Sequence, residues 1–312
     1  MPSYRIIVNP TSGRGTGGKS IPAIEGLLQQ ADFEFDMVQT ERPWHAVELA
    51  ERAVADGCQV VVAVGGDGTA NEVLNGLMRA RQSGGGRTAA LGLISVGRGN
   101  DFAHGIHVPP GVEAGCRILV EDRRTAIDVG RVAGGLHPEG RFFGNGVGIG
   151  FDAVVGFEAL KLRPLSGYPS YLVAALKTIF LYFRAPKVRV EMDAGDMTLD
   201  ALMVSTMNGR RLGGGFHMAP QGDMSDGLFD VCLVEQVSRA RVFALISHFT
   251  RGTQAGQAGV HMARTAALRV TALSGVLPAH ADGETLCVDG TRLEMQILPR
   301  QLEVITGYRG AA

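Results

Sequence analysis

A glycine-rich stretch near the start of the chain could bring backbone N–H groups close to a phosphate. Residues 9–20 read NPTSGRGTGGKS and follow the apolar run RIIV at residues 5–8. These letters contain both the G-x-G-x-x-G pattern of dinucleotide-binding folds and the G-x-x-x-x-G-K-S pattern of P-loops, and one segment cannot serve as both. Taken alone, the stretch predicts a phosphate-binding loop and leaves the two patterns open.

A second glycine loop adds a carboxylate at the end of the β-branched run 60–64. The residues concerned are Gly65, Gly66, Asp67, Gly68, Thr69, Asn71 and Glu72. The helix N-terminus behind this loop favours an anion. Because Asp67 has the wrong charge for direct phosphate contact, we interpret it as a ligand of Mg²⁺ that is itself bound to phosphate. The alternative is an Asp-Gly turn in which Asp67 or Thr69 caps the helix.

A third apolar strand pattern, residues 91–96, also ends in glycines. Gly97 and Gly99 follow it on either side of Arg98, and Asp101 comes soon after. The carboxyl ends of parallel strands share one edge of a sheet, and open α/β sheets bind ligands there. The three glycine loops are therefore expected to converge on one ligand site.

The elements that must position these loops alternate between strand and helix patterns. The continuous β-branched run at residues 60–64 predicts a strand buried on both faces, and apolar residues at helical spacing predict helices between the strands. The predicted strands are residues 5–9, 33–39, 60–64 and 91–96, and the predicted helices are Ile21–Gln30, 46–55 and 71–81. This order predicts right-handed βαβ units and an N-terminal α/β domain with a parallel sheet.

Beyond residue 127 the pattern changes to an alternation of apolar and polar residues. The predicted strands are Lys187–Met192, 199–207, 228–234, 267–272 and 293–297, and helices are predicted at 171–183 and 239–248. This pattern predicts a mainly antiparallel β-sandwich or barrel. We place the boundary in the charged stretch 121–126, which gives domains of residues 1–125 and 126–312. A return of the final strand to the first domain stays open.

Composition argues against several functional classes. The 312 residues carry a formal net charge of −1, so no global field favours nucleic acid. The four cysteines are far apart, which argues against a zinc or redox site and predicts reduced thiols. No signal-peptide pattern is present and no apolar run reaches the ~18 residues of a spanning helix, so we expect a cytoplasmic protein.

One segment suggests contact with a membrane surface. Residues 161–190 contain six Lys or Arg and no Asp or Glu, and they include the apolar stretch YLVAALKTIFLYF at 171–183. A short, apolar, basic-flanked helix can rest on an anionic surface such as the inner face of a membrane. The alternative is a helix buried against the sandwich with solvated basic flanks.

Five motifs together resemble the diacylglycerol kinase catalytic fold, which bacterial lipid kinases and sphingosine kinases share. They are N-P-x-S-G at residues 9–13, G-G-D-G-T-x-N-E at 65–72, N-D-F-A at 100–103, A-P-x-x-x-x-x-D-G at 219–227 and D-G-E at 282–284. The G-G-D-G core alone also resembles NAD kinases and phosphofructokinases. The resemblance implies an NAD-kinase-like α/β domain followed by a β-rich domain for the lipid substrate.

The resemblance also implies an ATP site made by the N-terminal loops. Its members would be Asn9, Pro10, Thr11, Ser12, Gly13, Thr40, Gly65, Gly66, Asp67, Gly68, Thr69, Asn71, Glu72, Gly97 and Arg98. The P-loop and dinucleotide patterns are then coincidences of a glycine-rich stretch. Arg98 stands where the family commonly has threonine. Its guanidinium could bind a nucleotide phosphate, or Arg98 could be an exposed loop residue without a ligand, and both alternatives stay open. The alternative for Thr40 is a strand-terminal hydroxyl that caps a turn.

On the acceptor side, the resemblance implies that Glu284 is the general base that accepts the proton of a lipid hydroxyl. Without the resemblance, Asp282 and Gly283 read as a hairpin turn and Glu284 as an exposed strand residue.

The resemblance further implies a structural Mg²⁺ site made by Asp223, Asp226 and the carbonyl oxygen of Leu228, with an Asp-rich turn as the alternative.

These inferences predict a lipid kinase that uses ATP and Mg²⁺, with Asp67 and Glu284 as catalytic residues. Its substrate would be a lipid hydroxyl at a membrane surface, with diacylglycerol as the default. Two alternatives stay open, namely a soluble small-molecule kinase of the NAD-kinase type and a nucleotide-binding regulator without catalysis. The basic apolar helix and the motif at 219–227 argue against the first, and the presence of both Asp67 and Glu284 argues against the second. The oligomeric state does not follow from the sequence.

Overall fold

The computed structural model describes residues 3–86, 88–161, 168–181 and 184–308. The chain divides into two compact units. Unit 1 comprises residues 1–128 and 300–312, and unit 2 comprises residues 129–299. The last strand of the chain therefore begins in unit 2 and ends in unit 1.

Unit 1 alternates strands and helices, as its sequence pattern predicts. The strands are β1 (Tyr4–Val8), β2 (Phe35–Gln39), β3 (Val60–Gly65) and β4 (Ala90–Ser95), and the helices are α1 (Ser12–Lys19), α2 (Ile21–Gln30), α3 (His45–Ala55), α4 (Asp67–Ser83), α5 (Asp101–Gly105) and α6 (Val112–Glu121). The strands pair in parallel in the order β2-β1-β3-β4, and Val304 adds a parallel partner for Leu91 of β4. Every residue of β3 and β4 is buried, as expected of strands covered on both faces.

Unit 2 is mainly antiparallel. Its strands, of which β5 begins in unit 1 and β15 ends there, are β5 (Arg124–Gly134), β6 (His137–Phe143), β7 (Gly146–Gly150), β8 (Lys187–Met192), β9 (Gly195–Met207), β10 (Phe229–Glu235), β11 (Val260–Thr265), β12 (Ala267–Ser274), β13 (Leu277–Ala281), β14 (Glu284–Gly290) and β15 (Arg292–Ile305). Its helices are α7 (Phe151–Lys161), α8 (Tyr168–Leu181) and α9 (Arg239–Arg251). The strands run in the order β14-β13-β7-β9-β8-β12-β15, while β10 joins β9 to β11 and β5 joins β15 to β6.

Two buried clusters stabilise unit 2. The first lies among the strands and is centred on the stacked rings of Phe143 and Phe229, whose centroids are 5.6 Å apart. The second packs α7, α8 and α9 onto the sheet, and Ala174 of α8 is fully buried in it. Because the opposite side of α8 leaves Val173 and Leu176 exposed, this helix is anchored by one face only.

Several elements are not predicted by the sequence pattern. Helix α1 and the first turn of α4 consist largely of Gly and Thr, so the helix predicted at 71–81 in fact begins at Asp67. Helices α5 and α7 are also not predicted, and neither is α6, although its apolar residues do have helical spacing. The unpredicted strands include β5, β6, β11 and the glycine-rich β7. The last two residues of the helix predicted at 171–183 lie outside the described residues. Within the described part of the chain, no helix is both long and apolar enough to cross a bilayer.

Candidate active site

The glycine loops after β3 and β4 touch through their backbones. A Cβ atom added to Gly97 would lie 2.3 Å from the Cα atom of Gly66, and one added to Gly66 would lie 3.1 Å from the Cα atom of Gly97. Glycine is therefore required at position 97 for this approach, and a side chain at position 66 would be crowded. The two loops therefore form one surface at the carboxyl edge of the parallel sheet, where a ligand is expected.

The loop after β1 joins the same surface through Asn9. The side-chain amide of Asn9 donates to Thr69 Oγ1 at 3.1 Å, and the backbone N–H and hydroxyl of Thr11 donate to Asn9 Oδ1 at 3.1 and 2.9 Å. Because Thr69 lies in the first turn of α4, Asn9 connects the first glycine loop to the second. The structure thus brings three of the predicted nucleotide-contacting segments together.

Helix α1 contains a left-handed turn. Gly13, Arg14 and Gly15 have φ values of 58°, 60° and 89°, and a Cβ atom on Gly13 would lie 2.2 Å from the carbonyl oxygen of Val96. A non-glycine residue in this region carries backbone strain, which clusters at functional sites. Gly18 and Lys19 are the last residues of α1 and Ser20 is its C-cap, whereas in a P-loop the Gly-Lys-Ser sequence lies at the start of a helix. The geometry therefore excludes a P-loop here.

Asp67 is the first residue of α4, and it does not cap its own helix. Gly66 occupies the N-cap position, and Asp67 Oδ1 accepts a hydrogen bond from the backbone N–H of Phe102 at 3.1 Å. Phe102 belongs to α5, which follows the third glycine loop. Asp67 is thus not the N-cap of α4, contrary to the alternative interpretation. The Asp67 carboxylate instead connects the loops after β3 and β4.

A second carboxylate lies beside Asp67. The position of a Cβ atom added to Gly99 is 2.9 Å from Asp67 Oδ2 and 3.3 Å from Asp101 Oδ2, so the two oxygens are no more than about 6 Å apart. Asp101 is buried, with 7% of its surface exposed. It belongs to the N-D-F-A motif, but sequence reasoning did not select it as a site residue. The spatial proximity of the two carboxylates is the signal that identifies it.

This carboxylate pair fits a magnesium ion that binds together with a nucleotide. Mg²⁺ is usually held by one or two carboxylates, several waters and the phosphates of the substrate. Among the described residues no group of three or more His, Cys, Asp or Glu forms a metal cage. An ion at Asp67 and Asp101 would therefore take its remaining ligands from water and phosphate.

The other predicted nucleotide contacts differ in their surroundings. Asn71 is buried and its oxygens accept from the side-chain amide of Asn75, while Glu72 Oε2 accepts from the backbone N–H of Ala46 at 3.2 Å. Glu72 thus stabilises the start of α3.

Arg98 is exposed and has no hydrogen-bonding or ion-pair partner within the described part of the chain. Its guanidinium is accessible to an anionic ligand.

One further predicted contact, Thr40, lies just after β2. Its backbone N–H donates to the carbonyl oxygen of Val8 at 2.9 Å, which extends the parallel pairing of β1 and β2 by one residue. The residue is half-buried. It therefore lies at the same carboxyl edge of the sheet as the glycine loops.

In unit 2, Glu284 is the first residue of β14 and pairs with Ala281 of β13 across a two-residue turn. Its side chain is exposed, whereas the preceding Asp282 is buried. Within the described part of the chain, the Glu284 carboxylate has no hydrogen-bonding or ion-pair partner. The hairpin interpretation of this segment is correct, and it leaves the carboxylate available for proton transfer.

The predicted structural metal site lies in a turn rich in acidic residues. Asp223 Oδ1 accepts from the backbone N–H and hydroxyl of Ser225, and Asp226 Oδ1 accepts from the N–H of Leu228 at 3.0 Å. The other oxygen of Asp226 forms an ion pair with Arg264. A guanidinium therefore already supplies positive charge at this carboxylate, and Arg264 would compete with a cation for it. The metal assignment stays a prediction.

A polar cluster beside the β13–β14 hairpin contains the buried residues Ser205 and His280 and the half-buried Asp152. The position of a Cβ atom on Gly148 is 2.4 Å from Asp152 Oδ2 and 2.6 Å from His280 Nε2, so a larger residue there would displace one of these two side chains. Ser205 Oγ donates to Asp152 Oδ2 at 2.5 Å. Burial raises the pKa of Asp152 to about 7, against the opposing hydrogen bond from Ser205, and burial lowers the pKa of His280 to about 4. This cluster thus favours a neutral imidazole and a carboxyl group that is protonated more easily than usual.

Two family models match the chain in order. The diacylglycerol kinase catalytic domain matches residues 3–132, and the YegS C-terminal NAD kinase beta sandwich-like domain matches residues 145–306, slightly more than half of the chain. The chain belongs to the diacylglycerol kinase catalytic-domain family. This confirms the recognition made from the five motifs. It also confirms the prediction of an enzyme, because the family is one of lipid kinases.

Individual relatives agree with the family assignment. A diacylglycerol kinase of Staphylococcus saprophyticus is 27% identical over 281 residues, which is 90% of this chain and 88% of the relative. A solved structure of a diacylglycerol kinase from Bacillus anthracis has a TM-score of 0.74 at 19% identity and covers 97% of this chain and 96% of its own. Yeast NADH kinase complexed with NADH reaches a TM-score of 0.51 at 9% identity and covers 99% of this chain and 84% of its own. These likenesses confirm the predicted fold class of an α/β domain with parallel strands and an antiparallel β-sandwich.

Proposed function

We propose that this lipid kinase transfers the γ-phosphoryl group of ATP, with Mg²⁺, to the hydroxyl of a lipid, and that diacylglycerol is the substrate. The observation that carries the proposal is the pair of carboxylates, Asp67 and Asp101, beside glycine loops whose backbones lie against each other at the carboxyl edge of the parallel sheet. Such a surface suits a polyphosphate with its metal ion. The names of the curated relatives support the choice of lipid.

In this proposal the residues of unit 1 bind and orient the nucleotide. The loops that carry Asn9, Gly66 and Gly97 would contact the phosphates through backbone N–H groups, and Arg98 would add a bidentate cationic contact. Asp67 and Asp101 would hold Mg²⁺, which when bound neutralises charge on the phosphate oxygens. These contacts place and polarise the nucleotide before any bond changes.

The acceptor chemistry is assigned to unit 2. Glu284 would take the proton of the lipid hydroxyl while that oxygen bonds to the γ-phosphorus and the bond to the β–γ bridging oxygen breaks. The products are the phosphorylated lipid and ADP. Glu284→Gln keeps the shape of the side chain but removes the proton acceptor, so turnover should fall by ~10²–10⁴-fold while ATP affinity barely changes.

The deciding experiment is a lipid panel with radiolabelled ATP in mixed micelles. We expect label in diacylglycerol, dependent on Mg²⁺, and no label in NAD. Label in NAD alone would favour the soluble kinase of the NAD-kinase type. Tight ATP binding without transfer to any acceptor would favour a regulator without catalysis.

Access to the lipid is proposed through peripheral contact with the cytoplasmic face of a membrane. Helix α8 exposes Val173 and Leu176, whereas Lys161 and Lys177 each pair with Glu158 at 2.6 Å. Apolar contact should therefore contribute more than charge. Val173→Asp should weaken sedimentation with phospholipid vesicles and leave the phosphorylation of a short-chain, micellar diacylglycerol unchanged. Equal sedimentation of variant and parent would contradict contact through α8.

A further inference from the structure

The two-residue turn between β13 and β14 carries one side chain, that of Asp282, and points it inward. Asp282 and Gly283 have φ values of 48° and 84°, both in the left-handed region that two-residue hairpins require. Gly283 and Glu284 are exposed, but only 7% of Asp282 is accessible. An aspartate at a hairpin tip would normally be solvated, so its burial calls for partners that compensate the lost hydration.

Backbone groups from another part of unit 2 provide those partners. The carboxylate of Asp282 accepts three backbone N–H groups, from Gly144 to Oδ2 at 2.8 Å and from Asn145 and Gly146 to Oδ1 at 3.0 and 2.9 Å. The backbone N–H of Asp282 in turn donates to the carbonyl oxygen of Gly146 at 3.0 Å. Four hydrogen bonds thus attach the turn to the segment 144–146, and those to the carboxylate are charge-assisted.

The segment 144–146 is itself held from its other side. The side-chain amide of Asn208 donates to the carbonyl oxygen of Gly144 at 2.7 Å, and that of Asn145 donates to the carbonyl oxygen of Arg211 at 3.0 Å. The backbone N–H of Asn208 also donates to the carbonyl oxygen of Asn145 at 2.9 Å. The partner of the turn is therefore a fixed part of the fold.

His280 provides a second attachment for the turn. Its Nδ1 atom accepts the backbone N–H of Gly283 at 3.3 Å, so the proton of the neutral ring lies on Nε2. Both turn residues before Glu284 are consequently hydrogen-bonded to buried groups, while the Glu284 carboxylate has no partner among the residues that the structure describes. The backbone of Glu284 is fixed and its carboxylate is available.

We propose that Asp282 is a positioning residue, which holds the turn so that the Glu284 carboxylate is presented to the acceptor hydroxyl. The proposal rests on the proposed function, because it takes Glu284 as the base. Both oxygens of Asp282 already accept backbone N–H groups, so Asp282 acts through the geometry of the turn and not by accepting a proton itself. Small displacements of a catalytic group lower turnover strongly.

The test is a double-mutant cycle on the full chain with diacylglycerol and ATP. Asp282→Asn keeps the size of the side chain but turns an N–H donor toward a backbone N–H. We expect kcat to fall at least about tenfold and the KM for ATP to stay unchanged, since the three backbone N–H groups that the Asp282 carboxylate accepts, those of Gly144, Asn145 and Gly146, lie in unit 2. In the Glu284→Gln background the same substitution should lower kcat less than twofold, because the group that it positions is already absent.

A matched control is Asp193→Asn in the β8–β9 hairpin. Asp193 also accepts a backbone N–H, from Ala266 at 2.7 Å, but it adjoins no proposed site residue. It should lower the melting temperature without lowering kcat. Asp282→Glu, which keeps the charge and lengthens the side chain, should also lower kcat, and it serves as the test if Asp282→Asn does not fold.

Three outcomes would overturn the proposal, and they are distinguishable. An equal fractional loss of kcat in both backgrounds would mean that Asp282 does not act through Glu284. If the parent is active and Glu284→Gln turns over at the same rate, Glu284 is not the base, and Asp282 has no base to position. A parent that phosphorylates no lipid would overturn the proposed function itself.

Discussion

The Asp67 carboxylate accepts a hydrogen bond from the backbone N–H of Phe102, and this bond joins the loops after β3 and β4. It also brings the neighbouring Asp101 to the same side of the sheet edge, where both carboxylates face the backbone of Gly99. Two acidic groups so close together repel each other unless a cation lies nearby. The arrangement therefore supports the proposal that a metal ion binds here together with a polyphosphate.

Both carboxylates should be needed for phosphoryl transfer. Asp67→Asn and Asp101→Asn each keep a hydrogen-bond acceptor, so the fold should persist while kcat falls by about 10²–10³-fold, the scale of losing one group that stabilises transition-state charge. Steady-state rates at several Mg²⁺ concentrations measure this. Asp32→Asn is the control, because the exposed Asp32 precedes β2 at the opposite edge of the sheet. Near-normal kcat in the Asp101 variant would assign the metal to Asp67 alone.

Gly97→Ala should damage the phosphate surface. Its Cβ atom would lie 2.3 Å from the Cα atom of Gly66, so the two loops must separate. We expect a loss of about 1–3 kcal/mol in the free energy of unfolding and weaker ATP binding by calorimetry. Gly26→Ala in α2 is a matched control, since a Cβ atom there meets nothing within 4 Å and should raise stability by about 1 kcal/mol. Unchanged ATP affinity in Gly97→Ala would contradict the nucleotide assignment of this loop.

The acidic turn of unit 2 can be tested through its response to magnesium. If Asp223, Asp226 and Leu228 bind Mg²⁺, the melting temperature of the parent should rise on adding the ion, because a ligand that binds only the folded state stabilises it. Asp226→Ala should abolish that rise, whereas the exposed Asp289→Ala should retain it. A melting temperature independent of Mg²⁺ would support the alternative of an Asp-rich turn that is neutralised by Arg264.

The polar cluster predicts opposite effects of pH from its two titratable members. Since the pKa of Asp152 is raised to about 7, its contribution to stability is complete below about pH 4 and is lost as the pH rises through 7. Since the pKa of His280 is lowered to about 4, its contribution is complete above about pH 6.5 and is lost as the pH falls through 4. Between these limits the two contributions oppose each other.

Replacing Asp152 should expose the effect of His280 alone. The parent loses the contribution of Asp152 as the pH rises from 4 to 7, whereas Asp152→Asn has no such contribution to lose. We therefore expect the free energy of unfolding of the variant minus that of the parent to increase over this range. Urea denaturation at a series of pH values measures it. A difference between variant and parent that is independent of pH would mean that the Asp152 carboxyl is solvated in the folded protein.

Local patterns in the sequence were sufficient to predict the fold class. The strand at residues 60–64 could be predicted because a strand buried on both faces has a continuous run of apolar residues. The helix Ile21–Gln30 could be predicted because its apolar residues recur at helical spacing. Helix α1 and the start of α4 could not, because their Gly and Thr residues carry no apolar periodicity and are held by contacts such as that between Asn9 and Thr69. The five motifs identified the family because each combines residue type with order along the whole chain.

The sequence by itself therefore determined the four strands β1 to β4 and several strands of unit 2, that glycine loops follow three of those in unit 1, and which family the chain belongs to. Only the tertiary structure decided that Asp101 lies beside Asp67, that Glu72 stabilises the start of α3, and that Asp282 is buried on the backbone of residues 144–146. These relationships join residues up to 138 positions apart. Residue type predicts local conformation, but such a hydrogen bond exists only once distant strands have paired, and no local pattern specifies which partner will be there.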